Sequence, residues 1–480
     1  MIDVEEPWSP GWWLARCHKK LKARLPELDR LDRYRRGDPP LPRRAEVEKR
    51  AFRDFVRLAR LNVAETIVSS VTERLCVRAV RTAVEGSQAG DAKAWETYRA
   101  NGLDVELPDV LDTMCALADA YMIVGVDPAV TGTPTPSQVQ ITAEDPRQVV
   151  TIHDPVRQSR VRAGAKFFHD PDVGADFAYL HTPGKVYVAT RTRRATTGSA
   201  VPFSPTSWSW SDEHGGPEGT SLPDGLDDVV GIVRFRNRHG TGEYEPHTDV
   251  LDRINHVILQ RVVIVTMQAF RQRALKGDFP SVYPADWPEE SLRGRRIDYD
   301  QLFVSSPDAL WLLPGAAEVW ESAQADVQGV LSAAADDLKH LAVVTRRPMW
   351  IFAPDNQSAS GADRAAEGLV FAVEDRARRA GNALAQVMSL ALRFQGETDR
   401  ARLDKITVDW MPFERHSLGT RAAAARDART AGMSSRWIME HVWQATPEEV
   451  AIEEQAVAAD RLAAALLTVT DTAGAVPGAA

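Results

Sequence analysis

The chain has 480 residues, of which 44% are hydrophobic and 26% charged, a composition typical of folded proteins and a length that favours two to four domains. Its 58 basic and 67 acidic residues give a net charge of -9, which argues against tight, sequence-independent DNA binding, because such binding relies on many basic contacts to phosphates. Three widely spaced cysteines predict neither a disulfide framework nor a metal site. No signal peptide is visible and no apolar run approaches the roughly 20 residues of a membrane span, so we expect an intracellular protein.

The first third of the chain is predicted to be helical. Residues 11–36 have helical spacing that is interrupted near Pro26, and the proline-rich stretch 37–42 then forces a turn. Helical spacing resumes over residues 45–75, and a further helix is expected at 107–122.

Strand patterns dominate from about residue 137 to 236. Short β-branched or aromatic stretches are separated there by glycine, proline and aspartate, which predicts an antiparallel sheet. Residues 196–228 contain too much glycine, proline and serine for regular structure, and we expect a long exposed loop.

A long apolar segment runs from Asp249 to Gly277. Its β-branched residues alone would favour a strand, but its length and its apolar spacing of three and four predict a helix. The apolar side chains fall on two faces, one through Ile258, Val262 and Val265 and the other through Val257 and Ile264. A helix with two apolar faces needs neighbours on both sides, and the spacing leaves open which face packs within the chain.

The rest of the chain alternates short extended pieces with helices. The predicted elements are, in order, a proline-interrupted β-rich insertion at 278–317, a helix at 316–344, an extended piece and a loop at 345–363, a helix at 362–395, a strand at 404–413, and helices at 420–431, 434–444 and 447–467 before a disordered end. Apolar residues and alanines in 362–395 alternate steps of four and three, which predicts close packing against a partner helix. Thr446, followed by proline and two glutamates, is a typical helix start.

No catalytic motif occurs in the sequence. It has no phosphate-binding loop, no dinucleotide-binding glycine motif, no nucleophile elbow and no zinc-binding histidine pattern. We therefore predict no catalytic residue, no metal ligand and no cofactor, and we expect that the protein is not an enzyme. A metal-dependent nuclease that uses Asp336 and Asp337 is a weaker alternative, because adjacent acids on a helix point in different directions.

Several segments carry, through their order, a resemblance to a known family. They are LDRYRRGDPPLP (31–42), RLNVAETIVSSVTERL (60–75), EDPRQVVTIHDP (144–155), VVGIVRFRNR (229–238), the apolar segment 251–277, ALWLLPG (309–315), HLAVVTRRPMWIF (340–352) and SASGADRAAEGL (358–369). The ordered set covers residues 20–460 and resembles the portal proteins of tailed double-stranded DNA bacteriophages of the long-tailed type. Two features depart from the family's pattern: arginines in TRRP (345–348), where small residues are usual, and the length of the tryptophan-rich stretch 196–228.

The resemblance implies an α+β fold, in an elongated portal-type subunit that assembles as a ring of about twelve copies. The implied parts are, in chain order, a helical and β wing at 1–240 with 404–413, a stem helix at 241–276, a β-rich clip at 277–315, a second stem helix at 316–343, a strand and tunnel loop at 344–362, a tunnel helix at 363–400, a helical crown at 414–467 and a disordered tail at 468–480.

The resemblance also implies a structural function at a capsid vertex. The ring would form the channel for viral DNA packaging and ejection, and would bind the terminase large subunit, which supplies ATP hydrolysis, and a head–tail adaptor protein. Major capsid and scaffold proteins are further implied partners, and double-stranded DNA would pass without sequence specificity. The protein would be assembled in the host cytoplasm and belong to the virion, with no membrane contact. Another virion or scaffold protein without a channel is the alternative.

Three groups of residues are candidates for this function. By the resemblance, the tunnel-loop residues Asn356, Gln357 and Ser358 would face the channel. The candidates for contact between copies in the stem are Val257, Ile258, Val262, Ile264 and Val265, and those for partner contact in the clip are Arg293, Arg295 and Arg296. The two-faced helix independently suits a ring in which each copy contacts two neighbours through different surfaces.

Overall fold

The computed structural model describes most of the chain in thirteen stretches. They are residues 2–40, 55–84, 90–127, 130, 132–192, 201–223, 225–269, 273–276, 280–299, 318–321, 328–353, 359–414 and 417–473. The chain divides into two units, the first formed by Met1–Pro40, Asn62–Thr248 and Ala342–Ala480, and the second by Leu41–Leu61 and Asp249–Leu341.

The longest α-helix of the described residues has 36 residues. They are α1 Pro10–Arg35, α2 Val63–Thr72, α3 Ala92–Ala100, α4 Leu103–Leu117, α5 Thr248–Ala269, α6 Gln328–Thr345, α7 Ala359–Phe394, α8 Leu418–Thr430, α9 Ser435–Ile438 and α10 Pro447–Ala473. Among these helices, none has the length and apolar composition to cross a membrane.

The strands pair in antiparallel fashion throughout the described residues. They are β1 Val77–Arg81, β2 Asp119–Val126, β3 Val139–Glu144, β4 Val149–His153, β5 Val161–Asp170, β6 Ala175–Thr182, β7 Lys185–Thr192, β8 Ser209–Trp210, β9 Thr220–Ser221, β10 Ile232–Arg236, β11 Arg273–Lys276, β12 Glu318–Glu321 and β13 Thr407–Trp410. The largest sheet has the order β4-β5-β6-β7-β8, with β9 also on β7, and a second sheet has the order β10-β2-β3. Strands β1 and β13 form one pair and β11 and β12 another. The mixed α+β class predicted from the sequence is confirmed.

The core of the largest sheet is covered by α1. Leu14, Cys17 and Leu21 of the helix pack with sheet residues such as Leu180, and Trp208 completes the cluster. Cys17 and Cys115 are buried free thiols, and burial raises the pKa of Cys17 to about 12, so this cysteine is a core residue. Trp208 is also buried, which corrects the prediction of an exposed loop at 196–228: the described residues 201–223 include β8, β9 and two short 3-10 helices.

Helix α7 keeps the spacing predicted for it. Of the residues predicted to form its apolar seam, Ala366 and Val370 are half-buried, and the following are buried: Val373, Ala377, Ala380, Leu384, Val387, Ala391 and Phe394. The helix packs against β2, β3, β10 and β13 and against α2 and α3, so much of its partner surface is sheet, where a coiled-coil-like helix was expected.

Three predictions for the N-terminal third are corrected. Helix α1 continues through Pro26, since residues on both sides of the proline, including Leu21 and Leu28, are held in the core. The predicted helix 45–75 is broken after 55–58, and α2 begins again at Val63 with Asn62 as its cap; residues 45–54 lie outside the described residues. The helix predicted at 107–122 ends at Leu117, and the apolar stretch after it is β2.

The predictions around the two long helices of the middle region are also corrected. The stem helix expected at 241–276 starts at Thr248 and ends at Ala269, and Arg273–Lys276 is a strand paired with Glu318–Glu321. The strand β12 therefore lies inside the predicted helix 316–343, and α6 starts at Gln328. The backbone groups of β11 and β12 form hydrogen bonds with each other. Because they are used in this pairing, they do not extend α5 or α6.

Two further segments differ from the prediction. Residues 349–351 form a 3-10 helix where a strand was expected, and α7 already begins at Ala359, inside the segment predicted as loop. The tail expected to be disordered at 468–480 is helical as far as Ala473. The strand predicted at 404–413 is present as β13.

The start of α10 is the capping box predicted from the sequence. The backbone N–H of Glu449 donates to Thr446 Oγ1 at 3.2 Å, and the Glu449 carboxylate accepts from the Thr446 N–H at 2.7 Å. Each side chain thereby satisfies a backbone donor that the helix leaves free.

Replacing Thr446 with alanine is expected to lower the free energy of unfolding by about 1 kcal/mol, the usual cost of losing a cap. Denaturation in urea measures the loss, and Thr430→Ala at the end of α8 is the control because its hydroxyl bonds a carbonyl within its own helix. Equal losses in both variants would contradict the capping function.

Candidate functional site

The stem residues predicted from the sequence lie on α5, in the second unit. Val257, Ile258, Val262 and Ile264 are half-buried, whereas Val265 remains 52% exposed. Ile258 packs beside Leu259 and Val263 against Phe55, Val56 and Ala59 of the same unit. One side of α5 is therefore covered by this chain, and Val265 remains exposed.

The three arginines predicted to lie in the clip are on a short hairpin-like turn. The backbone N–H of Tyr283 donates to Arg295 O at 2.9 Å, and that of Gly294, at a φ of 74°, donates to Tyr283 O at 3.0 Å. Arg293 is held by Trp287 O at 2.7 Å and by Glu290. Arg295 and Arg296 are exposed, and neither pairs with a carboxylate in the described part of the chain.

The tunnel-loop candidates Asn356, Gln357 and Ser358 lie outside the described residues. The carboxylates of the nuclease alternative are described, and both are in ion pairs: Asp337 with Arg253 at 2.9 Å and Asp336 with Lys339 at 2.9 Å. Within the described ranges, no group of three or more possible ligands could hold a metal ion.

A buried ion cluster lies in the first unit. Two of its residues are close in sequence to the start of α5 and to the end of α6. Its centre is Glu243, five residues before α5, and the carboxylate accepts from Arg347 Nη2 at 2.9 Å and from Arg376 Nε at 2.7 Å. Arg347 follows α6 by two residues, and Arg376 lies in α7. The exposed side-chain fractions are 4% for Glu243, 2% for Arg347 and 11% for Arg376.

The remaining polar atoms of the cluster are also bonded. Arg347 donates to Ser70 Oγ at 2.9 Å and to Ile67 O at 3.4 Å in α2, and Asn237 Nδ2 donates to Glu243 Oε1 at 3.1 Å. The N–H of Glu243 donates to Cys115 O in α4 at 2.7 Å. The cluster therefore joins α2, α4, α7 and the segments that lead into α5 and out of α6.

The opposite charges of the cluster keep each other ionised. Burial alone would raise the pKa of the Glu243 carboxyl. The charges of Arg376 and Arg347 have the larger combined effect, so the pKa is below its ordinary value and the carboxyl is ionised. Burial lowers the pKa of Arg347, against the opposing effect of Glu243. A guanidinium nevertheless stays protonated at neutral pH, so the cluster holds two positive charges and one negative.

The end of α6 has a backbone conformation that is unusual for its residue. The N–H of Arg347 donates to Ala342 O at 2.9 Å and that of Arg346 to Val343 O at 3.2 Å, which is the Schellman pattern at a helix C-terminus. Arg346 occupies the position where glycine is usual, with a φ of 55°. Arg346 is therefore held in the left-handed region, which costs roughly 1 kcal/mol for a residue with a Cβ.

A cavity of about 330 Å³ opens beside the cluster. Its walls come from residues 237–247, the segment 344–347 and the α7 residues 368–376. They include Arg238, Arg346, Arg347 and Arg376, with Glu243 as their only acidic residue among the described residues. The cavity is strongly cationic in a chain that is acidic overall.

Sequence reasoning did not find this cluster. Glu243, Arg347 and Arg376 are separated by 104 and 29 positions, and no motif links them. The one signal was TRRP, because two arginines between an apolar helix and a proline need partners when the segment is buried. Sequence alone does not provide those partners, since they come from a loop and from a helix that reach the site only in the folded chain.

Comparison with known proteins places these elements in a family. No curated protein matches the chain. Among solved structures, a chain from the neck of an empty gene transfer agent particle, computed with C6 symmetry, is 12% identical, with 82% of this chain and 93% of that chain covered and a TM-score of 0.43. A chain from the neck of the native particle, computed with C12 symmetry, is 13% identical, with 81% and 89% covered and a TM-score of 0.40. The family model that describes the phage portal protein, SPP1 Gp6-like, matches residues 14–460, so the chain belongs to this family of phage portal proteins.

Proposed function

We propose that the protein forms a ring at a capsid vertex, and that the ring is the channel through which viral DNA is packaged and ejected. The proposal rests on the family match, which spans residues 14–460 and so includes α5, α6 and α7. Portal proteins are structural, and the chain is not an enzyme. The channel would therefore be a passive conduit, and the terminase large subunit would supply ATP hydrolysis.

The division of the chain into functional parts belongs to this proposal. Helices α5 and α6 are the stem, and the segment between them, with Arg293, Arg295 and Arg296, is the clip that meets a head–tail adaptor. The tunnel loop, with Asn356, Gln357 and Ser358, precedes α7, and α8 to α10 are the crown. The wing comprises the part of the first unit before α5, together with β13.

The charge of the chain supports transport of DNA without tight binding. A net charge of -9 disfavours the many contacts to phosphates that would hold DNA in place. Arg295 and Arg296 are exposed on the clip, where a protein partner with carboxylates would pair with them. Capsid and scaffold proteins are the partners expected around the wing, and the assembled particle is the site of action.

Ring formation is the first test. We expect the purified protein to form closed rings with a central hole in negative-stain images, and native mass spectrometry to give their copy number. Val265→Glu is expected to reduce the fraction of rings at least about ten-fold, because it places a charge in an apolar contact between copies.

The matched control is Val156→Glu, since Val156 is also an exposed valine but lies on the turn between β4 and β5. It should leave rings intact. A wild-type protein that stays monomeric at high concentration would contradict the proposed function, and particles without a hole would favour a structural virion or scaffold protein without a channel.

A further inference from the structure

The cationic cavity beside α7 has two arginines that the buried cluster does not use. Arg238 and Arg346 are exposed and form no ion pair with a described residue. Arg347 and Arg376, in contrast, are neutralised in part by Glu243. Arg238 donates to His239 Nε2 at 3.2 Å, and its charge also acts on Asp375 of α7. The positive charge of the cavity that no described carboxylate pairs therefore comes from Arg346 and, in part, from Arg238.

The backbone beneath these side chains is held in a costly conformation. His239 and Arg346 have φ values of 57° and 55°, and both line this cavity. Residues other than glycine occupy this region rarely, and such strain concentrates at functional sites. Glycine would fit the Schellman position of Arg346 better, so the stability of α6 does not explain the arginine.

The rim of the cavity is apolar and exposed. Phe371 of α7 is 59% exposed, and Val344 beside it is exposed to a similar degree. A free inorganic anion would need only the arginines. A cationic interior with an apolar rim instead matches a carboxylate that projects from a protein surface with its own apolar side chain.

A surface of this kind lies on the same chain at the first turns of α4. Asp104, Glu106 and Asp109 are exposed there, and none of them forms an ion pair with a described residue. Val105, between them, is 69% exposed. The acidic surface and the cationic cavity are therefore complementary in charge and in apolar content.

The two surfaces lie at opposite ends of one helix. The back wall of the cavity contacts the C-terminal end of α4, where Cys115 O accepts the N–H of Glu243 at 2.7 Å. Glu106 precedes Cys115 by nine residues, or roughly 14 Å along a helix that rises 1.5 Å per residue. Surfaces at opposite ends of a rigid helix do not meet within one copy, but they can meet head to tail between successive copies of a ring.

We propose that Arg238 and Arg346 bind the acidic first turns of α4 from the adjacent copy, with Val105 packed against Phe371. This inference rests on the proposed ring. It assigns to the cavity a carboxylate-bearing surface of a second copy, and it gives Arg346 an intersubunit role that accounts for its strained backbone.

Charge reversal tests the contact. Arg238→Glu/Arg346→Glu and Glu106→Arg/Asp109→Arg should each raise the protein concentration needed for half-maximal ring assembly at least about ten-fold, because each places like charges together. The combination of all four substitutions should restore assembly. Arg157→Glu/Arg160→Glu is the matched control, since both arginines lie on the turn between β4 and β5 and form no ion pair with a described residue.

Arg346→Gly separates this role from a purely structural one. Glycine relieves the backbone strain at 346, so the thermal unfolding temperature should stay level or rise while ring assembly weakens. A fall in the unfolding temperature with unchanged assembly would assign Arg346 to the stability of the subunit and overturn the inference.

The assays also distinguish this inference from the proposed function. Failure of the wild-type protein to form rings would refute both. Rings of normal stability in both charge-reversal variants would refute only the contact. Normal rings of Arg238→Glu/Arg346→Glu that bind a short DNA duplex less tightly than wild-type rings would reassign the cavity to phosphate.

Discussion

Replacing Glu243 with alanine is expected to lower the free energy of unfolding by about 3–5 kcal/mol, the cost typical of removing one partner from a buried ion pair. The physical reason is the position of Arg347, whose side chain is 2% exposed. Without the carboxylate its charge stays in the core, since the surrounding Ser70 hydroxyl and Ile67 carbonyl provide dipoles and no negative charge. Urea denaturation followed by far-ultraviolet circular dichroism measures the loss.

A matched control lies on α7. Glu367 is exposed and forms no ion pair with a described residue, and Glu367→Ala should change the free energy of unfolding by no more than about 0.5 kcal/mol. A similarly small change in Glu243→Ala would mean that water from the adjacent cavity solvates the arginines when the carboxylate is absent, and would contradict the expected cost of an unpaired buried charge.

The double variant Glu243→Ala/Arg347→Met shows whether the stability lost in Glu243→Ala comes from the unpaired charge of Arg347 or from lost hydrogen bonds. Removing both charges leaves no unpaired ion at the most buried position, and Arg376 retains Asp375, whose carboxylate is 3.3 Å away. The double variant should therefore cost less than the sum of the single variants. Additive losses would indicate instead that the hydrogen bonds to α2 and to Asn237 carry the stability.

The cluster has a structural consequence for the proposed stem. Glu243 and Arg347 lie beside the residues at which the chain enters α5 and leaves α6, and Arg376 ties both to α7. A charge network with fixed partners sets the direction of the chain at these positions more sharply than apolar packing does. We infer that the cluster holds residues 237–247 and 344–347 in place within the first unit.

Local patterns in the sequence predicted several elements correctly. The spacing in α7 and the capping box at Thr446 depend on residues within a few positions of each other, and both are present in the structure. The segment 119–122 is predicted as the end of a helix, but it is the start of β2. It is a strand because β10, more than 100 residues later, pairs with it.

Long-range pairing explains most of the other differences. Strand β1 was not predicted at all, and its partner β13 lies some 330 positions away. Helices α5 and α6 were each predicted too long, since the pairing of β11 with β12 competes with helix for the backbone hydrogen bonds. Trp208 illustrates the same limit for burial: a stretch rich in glycine and serine becomes part of a core only because α1 covers the sheet beside it.

A buried histidine makes the stability of the first unit depend on pH. His181 lies in β6, and neither ring nitrogen has a hydrogen-bond partner among the described residues. The ring packs against Gly231, where an added Cβ would lie 3.2 Å from Nδ1 and 2.8 Å from Val124 O. Burial, with a smaller contribution from the charge of Lys166, lowers the pKa of His181 from 6.5 to about 4.

Acidification from pH 7 to pH 4 is therefore expected to remove about 3 kcal/mol of stability through His181, at 1.36 kcal/mol for each unit of pKa difference. Below pH 6.5 the unfolded chain binds a proton at this residue and the folded chain does not, so unfolding becomes more favourable until the pH reaches the folded pKa. Above pH 6.5, the His181 side chain is neutral in both states and costs no stability. The loss of stability is largest at about pH 4 and does not increase at lower pH.

His181→Leu isolates this contribution from the titration of carboxylates. The substitution removes no hydrogen bond to a described residue, so at pH 7 the variant should be about as stable as the wild type, and it should exceed the wild type by about 3 kcal/mol at pH 4. Exposed His340 provides the control position, since His340→Leu makes the same replacement without removing a buried ring. Parallel stability curves for the wild type and His181→Leu between pH 7 and 4 would show that the folded protein protonates His181, as it would if the two sheets separated enough at this position to admit water.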